Sequence, residues 1–267
     1  MEPIDPEKLK DLPLPDLVRR MDEILRESVI ERYGQVHEAF PLCLVSDILS
    51  TQKIAAQSQE QQRLIAHIAF AYLVQLDLHS VSGGFSNKIL FTEAYDPNSS
   101  WKSPLFRLRD GAIRQYQIVA SRIAMEIFMD LLHCIEEGHR LESRRSKLKS
   151  FRKWLCDSAN QFHYFAHVLL AAYRFDRNLR TPEIHGTPKL PRRLLTLQHP
   201  SPEEMNEQHR LLNTLLGCWR PLREMLNGQR PQYMNILEED MDWFKAYMSG
   251  SPEEIEAKLA TMFDGLE

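Results

Sequence analysis

The sequence lacks a CxxC pair and any zinc-ligand spacing, and its four cysteines, Cys43, Cys134, Cys156 and Cys218, lie far apart. Cys134, Cys156 and Cys218 fall in apolar helical patterns, which predicts reduced thiols in a core rather than a redox motif. A GxSxG nucleophile elbow, a GxxxxGK phosphate loop and a GxGxxG turn are all missing, which argues against an ordinary hydrolase, kinase or dehydrogenase. No apolar run approaches the ~18 residues that a membrane span needs, and the start MEPIDPEKLKDLPLP is too polar and proline-rich for a secretory leader. These absences predict a cytoplasmic protein with no membrane partner. An excess of one charge is missing as well. A formal net charge of −4 and a pI near 6.2 provide no global attraction to nucleic acid, so an electrostatic argument has to be local.

What the sequence does have is helical periodicity. With 267 residues, 43% of them hydrophobic, it can supply a proper core. From Leu14 to Tyr33 the apolar positions Leu17, Met21, Ile24, Leu25 and Val29 share one helical face. Ser58 to Leu78 is apolar all round from Leu64, the pattern of a helix covered on several sides. From Leu108, the residues Ile113, Tyr116, Ala120, Ile123, Ile127, Leu131 and Ile135 form a core stripe over about seven turns, with Gly138 as the stop. Lys147 to Leu155 and Ser158 to Leu179 follow as two further helices. The motif SPEE occurs at Ser201–Glu204 and again at Ser251–Glu254. In each, serine is the cap, proline takes the first helical position and glutamate closes a capping box.

No stretch shows the alternation of a strand, so the fold class expected is all-α, a multi-helix bundle. One long irregular loop is predicted at about 79–104, where Gly83-Gly84, Asp96-Pro97 and serine clusters accumulate. The expected organisation is N-terminal helices and loop over 1–107, a core bundle over 108–200 and a C-terminal helical extension over 201–267, folding as one unit.

Two histidine arrangements invite a metal reading. His163 and His167 stand one helical turn apart, but the intervening residues do not make an HExxH motif and no third ligand is evident, so a half-buried helix face is the simpler explanation. Glu126, Asp130, His133 and Glu137 share one face, of which only Asp130-x2-His133 resembles half of a di-iron site; a solvated polar face is expected. No metal and no cofactor is predicted.

Basic residues are concentrated in two runs. Arg140, Arg144, Arg145, Lys147, Lys149, Arg152 and Lys153 face a single acid, Glu142, and Arg174, Arg177, Arg180, Lys189, Arg192 and Arg193 face Asp176 and Glu183. The runs flank one predicted helix. Gathered on one surface, Arg144, Arg145, Lys149, Arg177, Lys189 and Arg192 would bind phosphates. Dispersed, they would solvate the protein and pair with the acidic C-terminal segment.

Between these runs lies RTPEIHG, Arg180 to Gly186. Arg180-x4-His185 resembles the R-x4-6-H signature of the HEPN superfamily, helical domains many of which are ribonucleases of bacterial defence and toxin systems. The resemblance covers about residues 108–190. It implies a metal-independent site shared by two subunits of a homodimer. His185 would then act as general acid or base at the ribose 2′-hydroxyl or the leaving oxygen, and Arg180 would stabilise charge on the phosphate. Glu126, on the preceding long helix, would support the site. Pro182 sets a second reading beside this one: Thr181-Pro182-Glu183 mimics the SPEE starts, so Arg180 would close one helix and His185 would sit in a linker. On that reading the protein is a non-catalytic partner-binding, immunity or regulatory protein, or a binder of a small phosphorylated ligand.

Overall fold

The computed structural model describes residues 11–33, 43–93, 104–142, 147–155, 160–180, 211, 214–215, 217–231, 254, 257 and 260–261, with 28–33, 77–93, 104–117 and 179–180 described by backbone alone. Its α-helices are α1 (Leu14–Tyr33), α2 (Val45–Leu49), α3 (Gln52–Ala55), α4 (Gln59–Glu93), α5 (Pro104–Glu137), α6 (Lys147–Leu155), α7 (Ala166–Phe175) and α8 (Trp219–Leu226). A 3-10 turn, Gln161–Phe165, leads into α7, and a π-helical turn, Asp176–Arg180, leads out of it. There is no strand among the described residues, so the fold is all-α, with several helices as the periodicity predicts. No helix among the described residues is long and apolar enough to cross a membrane.

The helix ends follow from local chemistry. Ser58 Oγ accepts the Gln61 amide at 3.3 Å while Gln61 Oε1 accepts the Ser58 amide at 3.4 Å, a reciprocal box that starts α4. Gly138 stops α5 in the left-handed region at φ 78°, its amide donating to the Cys134 carbonyl at 3.0 Å. α8 ends in a Schellman turn: the Gly228 amide bonds the Met225 carbonyl and the Gln229 amide bonds the Glu224 carbonyl, both at 2.9 Å, with Gly228 at φ 68°.

The chain divides into two compact units, the first comprising Met1–Val74, Asp130–Arg140 and Trp219–Tyr233, the second Gln75–Met129, Leu141–Cys218 and Met234–Glu267. In the first, Leu17, Met21 and Leu25 of α1 are buried, as the helical face predicts. The buried Asp22 of the same helix reaches the start of α2, its Oδ1 accepting the Val45 amide at 2.8 Å. Tyr72 and Trp219 stack with ring centroids 6.2 Å apart.

The second unit is built on aromatic side chains. Phe128 of α5 meets Phe165 edge-on at 5.3 Å, and Phe151, Trp154 and Phe162 continue the contact chain at 5.4 and 6.1 Å. Such pairs contribute about 0.5–1.5 kcal/mol each beyond the area they bury. Asn160 fixes the approach of α6 to α7. Its Oδ1 accepts the Phe162 amide at 2.8 Å, capping the 3-10 turn, and its Nδ2 donates to the Trp154 carbonyl at 3.0 Å.

Four sequence expectations are corrected. The backbone is helical from His79 to Glu93, within the stretch predicted as a loop. That segment contains no proline, and glycine weakens a helix by about 1 kcal/mol without breaking it, so Gly83-Gly84 did not end the propagation of α4. Residues 94–103, the rest of the predicted loop, lie outside the described residues. Of the core stripe, Ala120, Leu131 and Ile135 are buried as predicted, but Ile123 is 42% exposed while Ala124 and Met125 beside it are buried, so the covered face of α5 departs from the stripe at that turn. The helix expected from Ser158 is not helical at Asn160, which caps a 3-10 turn at Gln161, and the α-helix itself begins at Ala166. Asp130 and His133, expected on a solvated face, are both 6% exposed. The SPEE start at Ser201 lies outside the described residues, whereas after the second start Glu254, Ala257, Ala260 and Thr261 are helical.

Candidate functional site

In the second unit the candidate site begins on α5. Arg122 and Glu126 stand one turn apart, with Nε 3.0 Å from the Glu126 Oε1. The same guanidinium places Nη1 3.1 Å from Asp176 Oδ2, at the first residue of the π-turn. Arg122 is 8% exposed, so both contacts are shielded from solvent far more than a surface pair. The guanidinium lies between the two carboxylates, with Nε nearest Glu126 and Nη1 nearest Asp176.

α7 hands over to the π-turn at Asp176, whose amide is shared between the Ala172 and Tyr173 carbonyls. A π-turn closes on i→i+5 and so holds one residue more than an α-turn, which rotates whatever follows by about 100°. Arg180 is the last residue of this turn. Its side chain lies outside the described residues, as do Arg144, Arg145, Pro182, His185, Lys189 and Arg192.

Three basic residues of the same unit are described as exposed: Lys149 and Lys153 on α6 and Arg177 in the π-turn. α6 is amphipathic, burying Leu148, Phe151 and Leu155 and turning its lysines outward, and it packs on α7, the helix that carries the π-turn. Of the predicted phosphate-binding set, Lys149 and Arg177 therefore belong to one unit, Lys149 on the helix packed against α7 and Arg177 in the turn that follows α7. Glu126, the predicted supporting acid, contacts Arg122.

The histidines serve the interior. His163 and His167 are 5% and 7% exposed, more deeply placed than the half-buried face expected. His167 Nδ1 lies 2.8 Å from the Tyr164 carbonyl, which makes that nitrogen the donor and leaves Nε2 as an acceptor, 4.0 Å from Cys218 Sγ. Burial pushes the His167 imidazole down to about 4, the Tyr164 carbonyl pulling weakly the other way. In the first unit, His133 Nδ1 lies 2.8 Å from the His139 carbonyl just past Gly138, closing the end of α5.

The described thiols are unsuited to nucleophilic work. Cys43, Cys134 and Cys218 are free of disulfides, and the latter two are buried, as expected of core thiols. Burial pushes Cys43 up to about 12 and Cys134 up to about 11, and it raises Cys218 further, so none is a thiolate near neutral pH. Cys156 lies outside the described residues. Among the described residues, no three His, Cys, Asp or Glu side chains form a group able to hold a metal ion.

Sequence reasoning did not identify Arg122 as part of this region. Its i,i+4 spacing to Glu126 is readable. Its pairing with Asp176 joins elements distant in sequence, and no local pattern announces it. No protein-family model matches the chain, and neither a curated protein nor a solved structure matches it.

Proposed function

We propose that this protein binds RNA through the basic residues of α6 and the π-turn, and cleaves it without a metal by means of Arg180 and His185, in the manner of the HEPN superfamily that RTPEIHG resembles. The observation that supports the reading is the position of Arg180 at the end of a π-turn. This rare geometry is frequent at functional sites, and here it lies in the unit that exposes Lys149, Lys153 and Arg177.

The chemistry fits the residue types. The ribose 2′-oxygen attacks phosphorus and its proton passes to the His185 imidazole. The bond to the 5′-oxygen breaks, leaving a 2′,3′-cyclic phosphate, and a protonated imidazole returns a proton to the departing oxygen. Arg180 neutralises the charge that develops on the phosphate oxygens. Supplied by two subunits, the pair makes the protein a homodimer.

The test uses the full chain, single-stranded RNA and a chelator. Cleavage to a cyclic phosphate is expected, with His185→Ala and Arg180→Ala each slowing it by about 100-fold or more while RNA is still bound. Cleavage that survives His185→Ala, or RNA that is neither bound nor cut, removes this reading. RNA bound but never cleaved retains the binding half alone.

A further inference from the structure

Resting on the RNA reading above, we propose that the Arg122–Asp176 ion pair is a positioning device that fixes the π-turn and with it the backbone position of its last residue, Arg180. A π-turn is rarer than an α-turn and tends to persist where surrounding structure holds it. Here the hold is at its first residue, where Asp176 Oδ2 meets Arg122 Nη1 at 3.1 Å.

Arg122 is itself held in place. Glu126 Oε1 lies 3.0 Å from its Nε, Met125 Sδ lies 3.6 Å from Nη1, and the residue is buried. The tether therefore runs from the packed middle of a long helix to the residue where the α-ladder of α7 ends, its last amide shared between two carbonyls. If the tether is lost, the turn is free to relax to α geometry, which rotates Arg180 by about 100° about the helix axis. Misplacement of the residue that carries a charge-stabilising group lowers turnover more than it weakens binding. Glu126 contributes through Arg122, so its support for the site is indirect.

The experiment compares the full chain with Asp176→Asn, which keeps shape and removes charge, Asp176→Glu, which restores charge, and Arg122→Lys, which keeps charge but loses the fork. Amide hydrogen exchange at residues 176–180 is read beside the thermal midpoint and the kcat and KM of RNA cleavage. In Asp176→Asn the expectation is about tenfold faster exchange confined to 176–180 and about tenfold lower kcat, with KM within about twofold. Asp176→Glu recovers most of both, and Arg122→Lys repeats the local effect if Asp176→Asn does not fold. Unchanged exchange at 176–180 in both pair-breaking variants overturns the proposal. Exchange that rises evenly along α5 and α7 overturns it too, as does faster local exchange with kcat intact. If the unaltered protein cleaves no RNA but the local exchange shift is present, the RNA reading fails and the tether stands.

Discussion

His167 and Tyr164 are joined across one turn, the imidazole Nδ1 2.8 Å from the Tyr164 carbonyl, and that contact fixes a neutral ring inside the second unit. Burial holds its folded pKa near 4, below the ordinary value of 6.5. Above 6.5 neither the folded nor the unfolded chain binds a proton at this position. As pH falls from 6.5 towards 4, the unfolded chain takes up the proton and the folded one does not. Stability is therefore lost over that window, by up to about 3 kcal/mol. Urea unfolding measured at pH 7 and pH 4.5 for the full chain and for His167→Gln is expected to show a smaller acid loss in the variant. Equal losses show that the ring does not titrate this way.

The two left-handed glycines differ in their surroundings, and the difference is measurable. A Cβ on Gly138 would come 2.9 Å from Gln61 Nε2, whereas a Cβ on Gly228 meets nothing within 4 Å. Both positions impose the left-handed penalty on alanine, about 1–2 kcal/mol. Gly228→Ala is expected to cost that and little more. Gly138→Ala also displaces Gln61, the partner of Ser58 in the box that starts α4, so its loss is larger. Thermal midpoints in the order native, Gly228→Ala, Gly138→Ala check the argument.

Much of the helical framework was legible because its signals are local. The bounds of α1 and α6 and the stop at Gly138 depend on residues within a turn or two of each boundary. Gly83-Gly84 reads as a break in sequence, yet a helix already propagating tolerates glycine where it does not tolerate proline. Burial of Asp130, His133, His163 and His167 was hidden for a different reason: periodicity identifies a face, but not how many neighbours cover it. In the candidate site, charge alone points to Lys149 and Arg177, and both are exposed. Arg122 and the π-turn were missed, since a non-local ion pair and one extra residue in a turn leave no pattern in the sequence.

Asp22 shows how a buried carboxylate can be structural rather than catalytic. It accepts the Val45 amide at 2.8 Å and the Ser46 amide at 3.4 Å, providing α2 with the cap that Leu44 cannot. Asp22→Ala leaves the buried Val45 amide without its acceptor and is expected to lower stability by about 1–3 kcal/mol. Asp22→Asn keeps one acceptor oxygen and should lose less. Urea midpoints that do not separate the two variants would show that the carboxamide oxygen cannot replace the carboxylate.

The lysines of α6 give a prediction that separates electrostatic binding from catalysis. Lys149 and Lys153 stand outward from a helix held inward by Leu148, Phe151 and Leu155, so changing them leaves the core intact. Each phosphate contact on a single strand contributes about 0.7 to the slope of log affinity against log salt. Lys149→Gln with Lys153→Gln is therefore expected to reduce that slope by about 1.4 if both lysines touch phosphate, weakening binding alike for RNAs of different sequence. Turnover at saturating RNA should be unchanged, because neither lysine belongs to the proposed acting pair. A salt slope equal to that of the unaltered protein would place the RNA away from α6, and a fall in kcat at saturation would give these lysines a part in the chemical step.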